Sequence, residues 1–137
     1  MDGIQTHELM DRELSGEPLE LAEGRSRVGL LTSRRMQADS SGLVHGGFVF
    51  SLADHAAMLA INHPNVVLGS ASTRFLAPVV CGDRLEARAE VDRREGKKIF
   101  VSVEVWRGDD RAMNDRVMTG ELICFTPDQH VLSRTEP

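Results

Sequence analysis

The stretch GLVHGGFVFSLADHAAMLAIN, Gly42 to Asn62, decides how the rest of the chain is read. From Gly46 to Asn62 it has no proline and is rich in Ala and Leu, and Pro64 closes it, because proline also turns its preceding residue away from helix. Apolar residues fall at 48–50, 52, 53 and 56–61, which covers nearly the whole circumference of a helix. A helix apolar all round belongs inside its domain. It is too short and too interrupted to cross a bilayer, which takes about 20 apolar residues.

After this helix the period changes to two. LEARAEVD (85–92) sets Leu85, Ala87, Ala89 and Val91 against Glu86, Arg88, Glu90 and Asp92. IFVSVEVW (99–106) alternates in the same way, and RREGKK (93–98) between them reads as a hairpin turn around Gly96. NVVLGSASTRFLAP (65–78) and RVMTGELICF (116–125) read as two further strands, with a loop over 107–115. Upstream, 25–37 is a less regular strand, 15–24 a breaker-rich connection, and 1–15 a short helix with Leu9, Met10 and Leu14 at helical spacing. A sheet with one apolar face must cover that face, and only one long helix is present to do so. The expected fold is α+β, a curved antiparallel sheet wrapped around a long central helix. Gly120 is expected to mark a close approach of sheet to helix.

The 137 residues suit a single domain, with 1–24 an N-terminal extension and 128–137 a polar tail. The composition, 41% hydrophobic and 27% charged, is that of a globular chain. A net charge of −5 argues against a general nucleic-acid binder. The acidic N-terminus lacks the apolar run of a signal peptide, so the expected location is the cytoplasm, with no membrane contact. Cys81 and Cys124 form no CxxC pair and read as buried free thiols.

The chemistry sits on the helix itself. Asp54 puts a carboxylate in its middle, and an unpaired buried carboxylate either raises its pKa or finds donors. It reads either as a surface residue facing a loop or partner, or as a catalytic base or nucleophile. His45-Gly46-Gly47 opens the helix, where backbone N–H groups lack intrahelical partners and the dipole favours negative charge. That is either an ordinary turn or an oxyanion hole. Gly47 and Asp54 are seven residues apart, on one helical face but about 10 Å apart along the axis. One helix therefore cannot bring both to a single carbonyl. Two copies can, each lending its Asp54 to the other's Gly47. His55 points about 100° away from Asp54 and reads as a packed histidine, and His63 as a residue of the helix end. His45, Asp54 and His55 have no recognised metal-ligand spacing, and no metal is expected.

G-x-x-HGG-x-x-x-x-L-x-D over 42–54, followed by F-L-x-P at 75–78 and G-D at 82–83, resembles the hotdog-fold thioesterases, specifically the PaaI-like (phenylacetate-pathway) acyl-CoA thioesterases. The resemblance spans roughly 25–126. It implies a thioester hydrolase, with Asp54 as general base or nucleophile, the Gly47 N–H polarising the carbonyl, and His45 placing the substrate or shaping its loop. Gly46 and Asp39 are implied substrate-binding residues, and Ser72 falls near where related enzymes place a hydroxyl that orients water or the carboxylate. Arg74, by its charge, is a further candidate for coenzyme A phosphates. The RREGKK hairpin offers charges for coenzyme A phosphates, or is simply solvated. Relatives often carry Asn where this chain has Asp39, and an ionised Asp cannot donate as Asn does. No cofactor is implied beyond coenzyme A as part of the substrate. The implied assembly is a homodimer and, beyond it, a dimer of dimers. The alternative is a non-catalytic acyl-CoA-binding protein, like the ligand domains of lipid-synthesis repressors. Those carry a DNA-binding segment upstream, for which 24 residues leave no room, and tend to lack the HGG…Asp pair. A hotdog dehydratase would show a G-D-x-N-P-x-H loop, which is absent.

Overall fold

In the computed structural model, which describes residues 1–133, six antiparallel strands form one curved sheet around a single long helix, the hotdog arrangement. The elements are α1 (Arg12–Ser15), β1 (Glu17–Ala22), β2 (Arg25–Leu31), α2 (Gly46–Ile61), β3 (Val67–Phe75), β4 (Arg84–Glu95), β5 (Lys98–Gly108) and β6 (Met113–Phe125). The strand order is β1-β2-β4-β5-β6-β3, so β1 and β3 are the two edges.

α2 starts and stops where its end residues can satisfy the helix termini. His45 is extended and its side chain caps the Gly47 N–H. Asn62 adopts the left-handed conformation and returns its N–H to Met58 O, so the helix ends there, two residues before Pro64. Ala53, Ala56, Ala57 and Ala60 form a stripe of small buried residues that lets the sheet lie close to the helix. Ser26 Oγ on β2 donates to Ala56 O at 2.6 Å and pins the two together. Leu52 and Leu59 are fully buried beside the stripe, and truncating either to Ala costs about 3 kcal/mol.

Several expectations are corrected. Residues 1–15 are not one helix: only Arg12–Ser15 is helical, and Leu9 is 95% exposed while Leu14 packs against the core, so the three do not share one packing face. The connection over 15–24 is largely strand β1, which pairs with β2. Pro18 is tolerated because β1 is an edge strand. β2 stops at Leu31, and a 3-10 turn takes Arg34–Met36. The hairpin turn is only Gly96-Lys97, with Gly96 at positive φ between paired Glu95 and Lys98. The loop before β6 shrinks to 109–112. A Cβ on Gly120 would meet Thr73 Cγ2 at 3.0 Å and Ser72 O at 3.2 Å, so its close neighbour is β3 and not the helix. The polar tail is described as turn up to Ser133; residues 134–137 lie outside the described part.

The alternation of β4 holds except at Glu86. It faces away from α2 yet is buried, because Arg27 Nη1 (3.0 Å) and Arg88 Nε (2.8 Å) close over it. Burial, the largest single influence, would raise its pKa, and the hydrogen bonds and charges of the two arginines together outweigh it and hold it low.

Candidate active site

The loop before α2 is built to deliver its first turn. Asp39 Oδ1 accepts from Ser41 N–H (2.9 Å) and Ser41 Oγ (2.5 Å), an Asx-type turn that keeps its pKa low. Ala38 N–H then donates to Leu43 O, Val44 N–H to Val79 O, and His45 N–H to Met36 O. Asp39 is thus an exposed turn former at the foot of the loop.

His45 and Gly47 are exposed. Gly47 N–H donates to His45 Nδ1 at 2.8 Å. The expected oxyanion donor is therefore held by its own histidine, and accepting at Nδ1 requires a neutral ring with its proton on Nε2. A Cβ at Gly47 would sit 2.8 Å from that same Nδ1, so glycine is what permits the cap.

Gly47, Phe50, Ser51 and Asp54 follow one another at helical spacing along a partly exposed strip of α2. Asp54 is half-buried. Its Oδ1 is shielded from solvent and has no hydrogen-bond partner, and no cation pairs with it among the described residues. Burial pushes its pKa up to about 6. The buried Cys124 thiol is pushed up to about 12, by burial first and then by the Asp54 charge. Cys124 matches the expected buried free thiol. Cys81 is only half-buried and donates to Ser33 O.

On the adjacent side, α2 is sewn to the N-terminal segment. His55 is 2% exposed and donates from Nδ1 to Ser15 O at 3.0 Å, and the Ser15 and Ser51 hydroxyls lie 2.7 Å apart. Asn62 holds Gln5 N–H and Gly3 O, each at 2.8 Å. His55 is a packed histidine. His63 lies past the helix end and accepts the Asn65 N–H.

Ser72 and Arg74 do not join this site within one chain. The β3–β6 register sets them opposite Glu121 and Thr119, on the sheet face away from α2. No hydrogen bond links Asp39, Ser72 or Arg74 to Asp54 among the described residues. The hydroxyl on the α2 side is Thr73, which shares its face with Phe75. Phe75 in turn lies against Gly46, whose Cβ would be 3.5 Å from its ring. The sequence reading missed both, although F-L-x-P contains Phe75 and strand parity then selects Thr73.

β3 itself is a nine-residue edge strand with one side unpaired. Phe75 and the following Leu76 are 54% and 47% exposed. No group of three or more metal-binding side chains occurs among the described residues, and none of their helices is long and apolar enough to cross a membrane.

A family model described as the thioesterase superfamily matches residues 41–113, more than half of the chain. Among curated proteins, the chain is 49% identical over 120 residues to methylthioribose-1-phosphate isomerase of Aquifex aeolicus, covering 88% of this chain and 26% of that protein. It is 28% identical over 127 residues to transcription factor FapR of Caldanaerobacter subterraneus, covering 92% of this chain and 61% of that protein. The chain thus spans about a quarter of the isomerase's length and about three fifths of the transcription factor's. Among solved structures, the uncharacterized protein PH1136 of Pyrococcus horikoshii superposes with a TM-score of 0.90 at 45% identity, over 96% of this chain and 97% of that one. A mutant of the phenylacetic acid degradation protein PaaI of Thermus thermophilus gives 0.74 at 29%, over 83% and 95%.

Proposed function

Starting from a chain that belongs to the thioesterase superfamily, we propose that it hydrolyses an acyl-coenzyme A thioester at a site shared by two protomers. The observation that carries the reading is Asp54: a half-buried carboxylate without a cation, with an unpartnered oxygen, on the open strip of a helix that begins His-Gly-Gly. Its pKa near 6 suits a base that is ionised at neutral pH yet still able to take a proton.

In this mechanism the thioester carbonyl rests at the α2 start of one protomer. His45 is exposed and free to swing off the Gly47 N–H, which then faces the oxygen. The partner copy supplies its own carboxylate from the equivalent of position 54. As general base, that carboxylate takes a proton from water while the water oxygen bonds to the carbonyl carbon. The tetrahedral oxyanion is stabilised by the N–H and the helix dipole. The C–S bond then breaks, the sulfur leaves as thiolate and recovers the proton, and the acid is released. As nucleophile, the same carboxylate would instead attack the carbon and expel the coenzyme A sulfur as thiolate, giving a mixed anhydride. Water then opens the anhydride, releasing the acid, regenerating the carboxylate and supplying the proton that the thiolate takes up. Two features support a second copy: about 10 Å separates Gly47 from Asp54 along one helix, and β3 presents an unpaired edge with Phe75 and Leu76 exposed beside it.

Thiol release across a panel of acyl-CoAs, wild type beside Asp54→Ala, tests the reading. The expected loss is at least about a hundredfold in kcat. Absence of turnover by the wild type refutes the enzyme, and full activity in the variant refutes the role of Asp54.

The match to a transcription factor over 92% of this chain favours a second reading, in which the fold holds an acyl-CoA without cleaving it. Calorimetric titration showing saturable acyl-CoA binding, with intact thioester recovered afterwards, would select that reading.

A further inference from the structure

Beside the first turn of α2 lies a cavity of about 290 Å³ whose lining side chains are all apolar. Val49, Val79 and Val117 form its buried floor, and Leu43, Phe75 and Leu76 form its exposed rim. Backbone donors in its walls are already engaged: Val44 N–H with Val79 O, and Leu76 and Ala77 N–H with Val117 O. A polar guest would find few partners there and would lose its hydration. Gly46 stands at the mouth. A Cβ at that position would rest in ordinary van der Waals contact, 3.5 Å from the Phe75 ring, so any side chain larger than a methyl would narrow the opening between helix and ring.

We infer that this cavity is the acyl pocket, that it takes an uncharged, apolar acyl group of short to medium length, and that Gly46 and Phe75 set its entrance. The inference rests on the thioesterase reading of the same helix start. A carbonyl oxygen held at Gly47 leaves the acyl carbons next to residue 46, and this is the apolar space lined by that residue. Its volume is at the small end of ligand sites, which limits the length of the guest.

The test is kcat/KM for acetyl-, butyryl-, hexanoyl-, phenylacetyl- and succinyl-CoA with wild type, Ala77→Phe and Phe75→Ala. In the wild type the value climbs about fourfold per added methylene until the cavity is full. Succinyl-CoA falls at least about a hundredfold below butyryl-CoA, because its carboxylate would be stripped of water. Ala77→Phe fills the cavity and lowers the hexanoyl-to-acetyl ratio by about tenfold or more. Phe75→Ala opens the mouth and moves the ratio toward the longer or bulkier group. Phe75 is exposed, so this second variant does not depend on the core tolerating change. If no acyl-CoA is cleaved, the thioesterase reading falls and the pocket assignment with it. If the panel is cleaved with a flat profile, or both variants leave the ratio unmoved, only the pocket assignment is overturned. It is equally overturned if the variants change the oligomeric state without moving the ratio, since the cavity then receives a second copy of the chain.

Discussion

Replacing Asp54 by Asn should make the protein more stable at neutral pH, by an amount that pH itself reveals. The carboxyl titrates at about 6 in the folded chain and at 3.8 as an ordinary side chain. Between those values the folded state holds a proton that the unfolded state has released. Folding is therefore opposed as pH rises through this window, and the penalty is complete once the folded carboxyl is ionised. At 1.36 kcal/mol per pKa unit the full cost is about 3 kcal/mol, of which about 2 develops between pH 4.5 and 7.5. Asn carries no charge and escapes this cost, although its amide meets the same shortage of partners that leaves Oδ1 alone. That second effect does not vary with pH, so the slope of the difference isolates the charge. The assay is urea unfolding of both proteins at fixed protomer concentration across that pH range. The variant's advantage should widen by about 2 kcal/mol as pH rises. A difference that is constant or narrows with rising pH would mean that Asp54 has found a partner, and the argument from its isolation would fail.

Other outcomes follow from the same groups. If Asp54 is the base, kcat/KM falls on the acid side of about pH 6, and a rate profile from pH 4.5 to 8 checks it. His55 acts on stability in the opposite sense to Asp54: burial lowers its pKa below 6.5, so the stability it contributes is present above 6.5 and is lost as pH falls. His7 shifts the same way, through burial and then the nearby His55. Melting curves of His55→Gln should decline less steeply than wild type between pH 7 and 5. Asn62→Ala removes the αL cap and the clamp on Gly3 and Gln5, at a cost of about 1 to 2 kcal/mol by denaturant unfolding, with amide exchange rising in the N-terminal segment.

The central helix and the strands β4 and β5 were legible because period and breakers agreed there. His45 opens α2, Asn62 and Pro64 bound its end, and Leu85 to Val91 and Ile99 to Val105 alternate. β1 was not legible. Gly16, Pro18 and Gly24 gave it the look of a connection, while its hydrogen bonds to β2 are a tertiary fact. The N-terminal helix is shorter than the spacing suggests because Leu9 points into solvent, while only Leu14, from the single turn α1, packs against the core. In the site, the Gly47–Asp54 separation follows from helix geometry alone. The facing of Ser72 does not, because an irregularity in the pairing between Leu68 and Ser70 resets which β3 residues look toward α2. The His45 cap on Gly47 and the influence of the Asp54 charge on Cys124 depend on side-chain conformation and non-local packing, which no local pattern encodes.

The shared site is tested most directly by mixing two inactive variants. Asp54→Ala removes the carboxylate and keeps the Gly47 donor. Gly47→Pro removes the donor together with the His45 cap it makes, displaces the exposed His45 ring, and keeps the carboxylate; it lies in the first turn of α2, where proline is tolerated. Each variant alone should be inactive on acyl-CoA. Unfolded and refolded together in equal amounts, half of the dimers are mixed and each holds one intact site, so about a quarter of wild-type activity should return. A mixture as inactive as its parents, beside an active wild type, would contradict a carboxylate and an oxyanion donor supplied by different protomers.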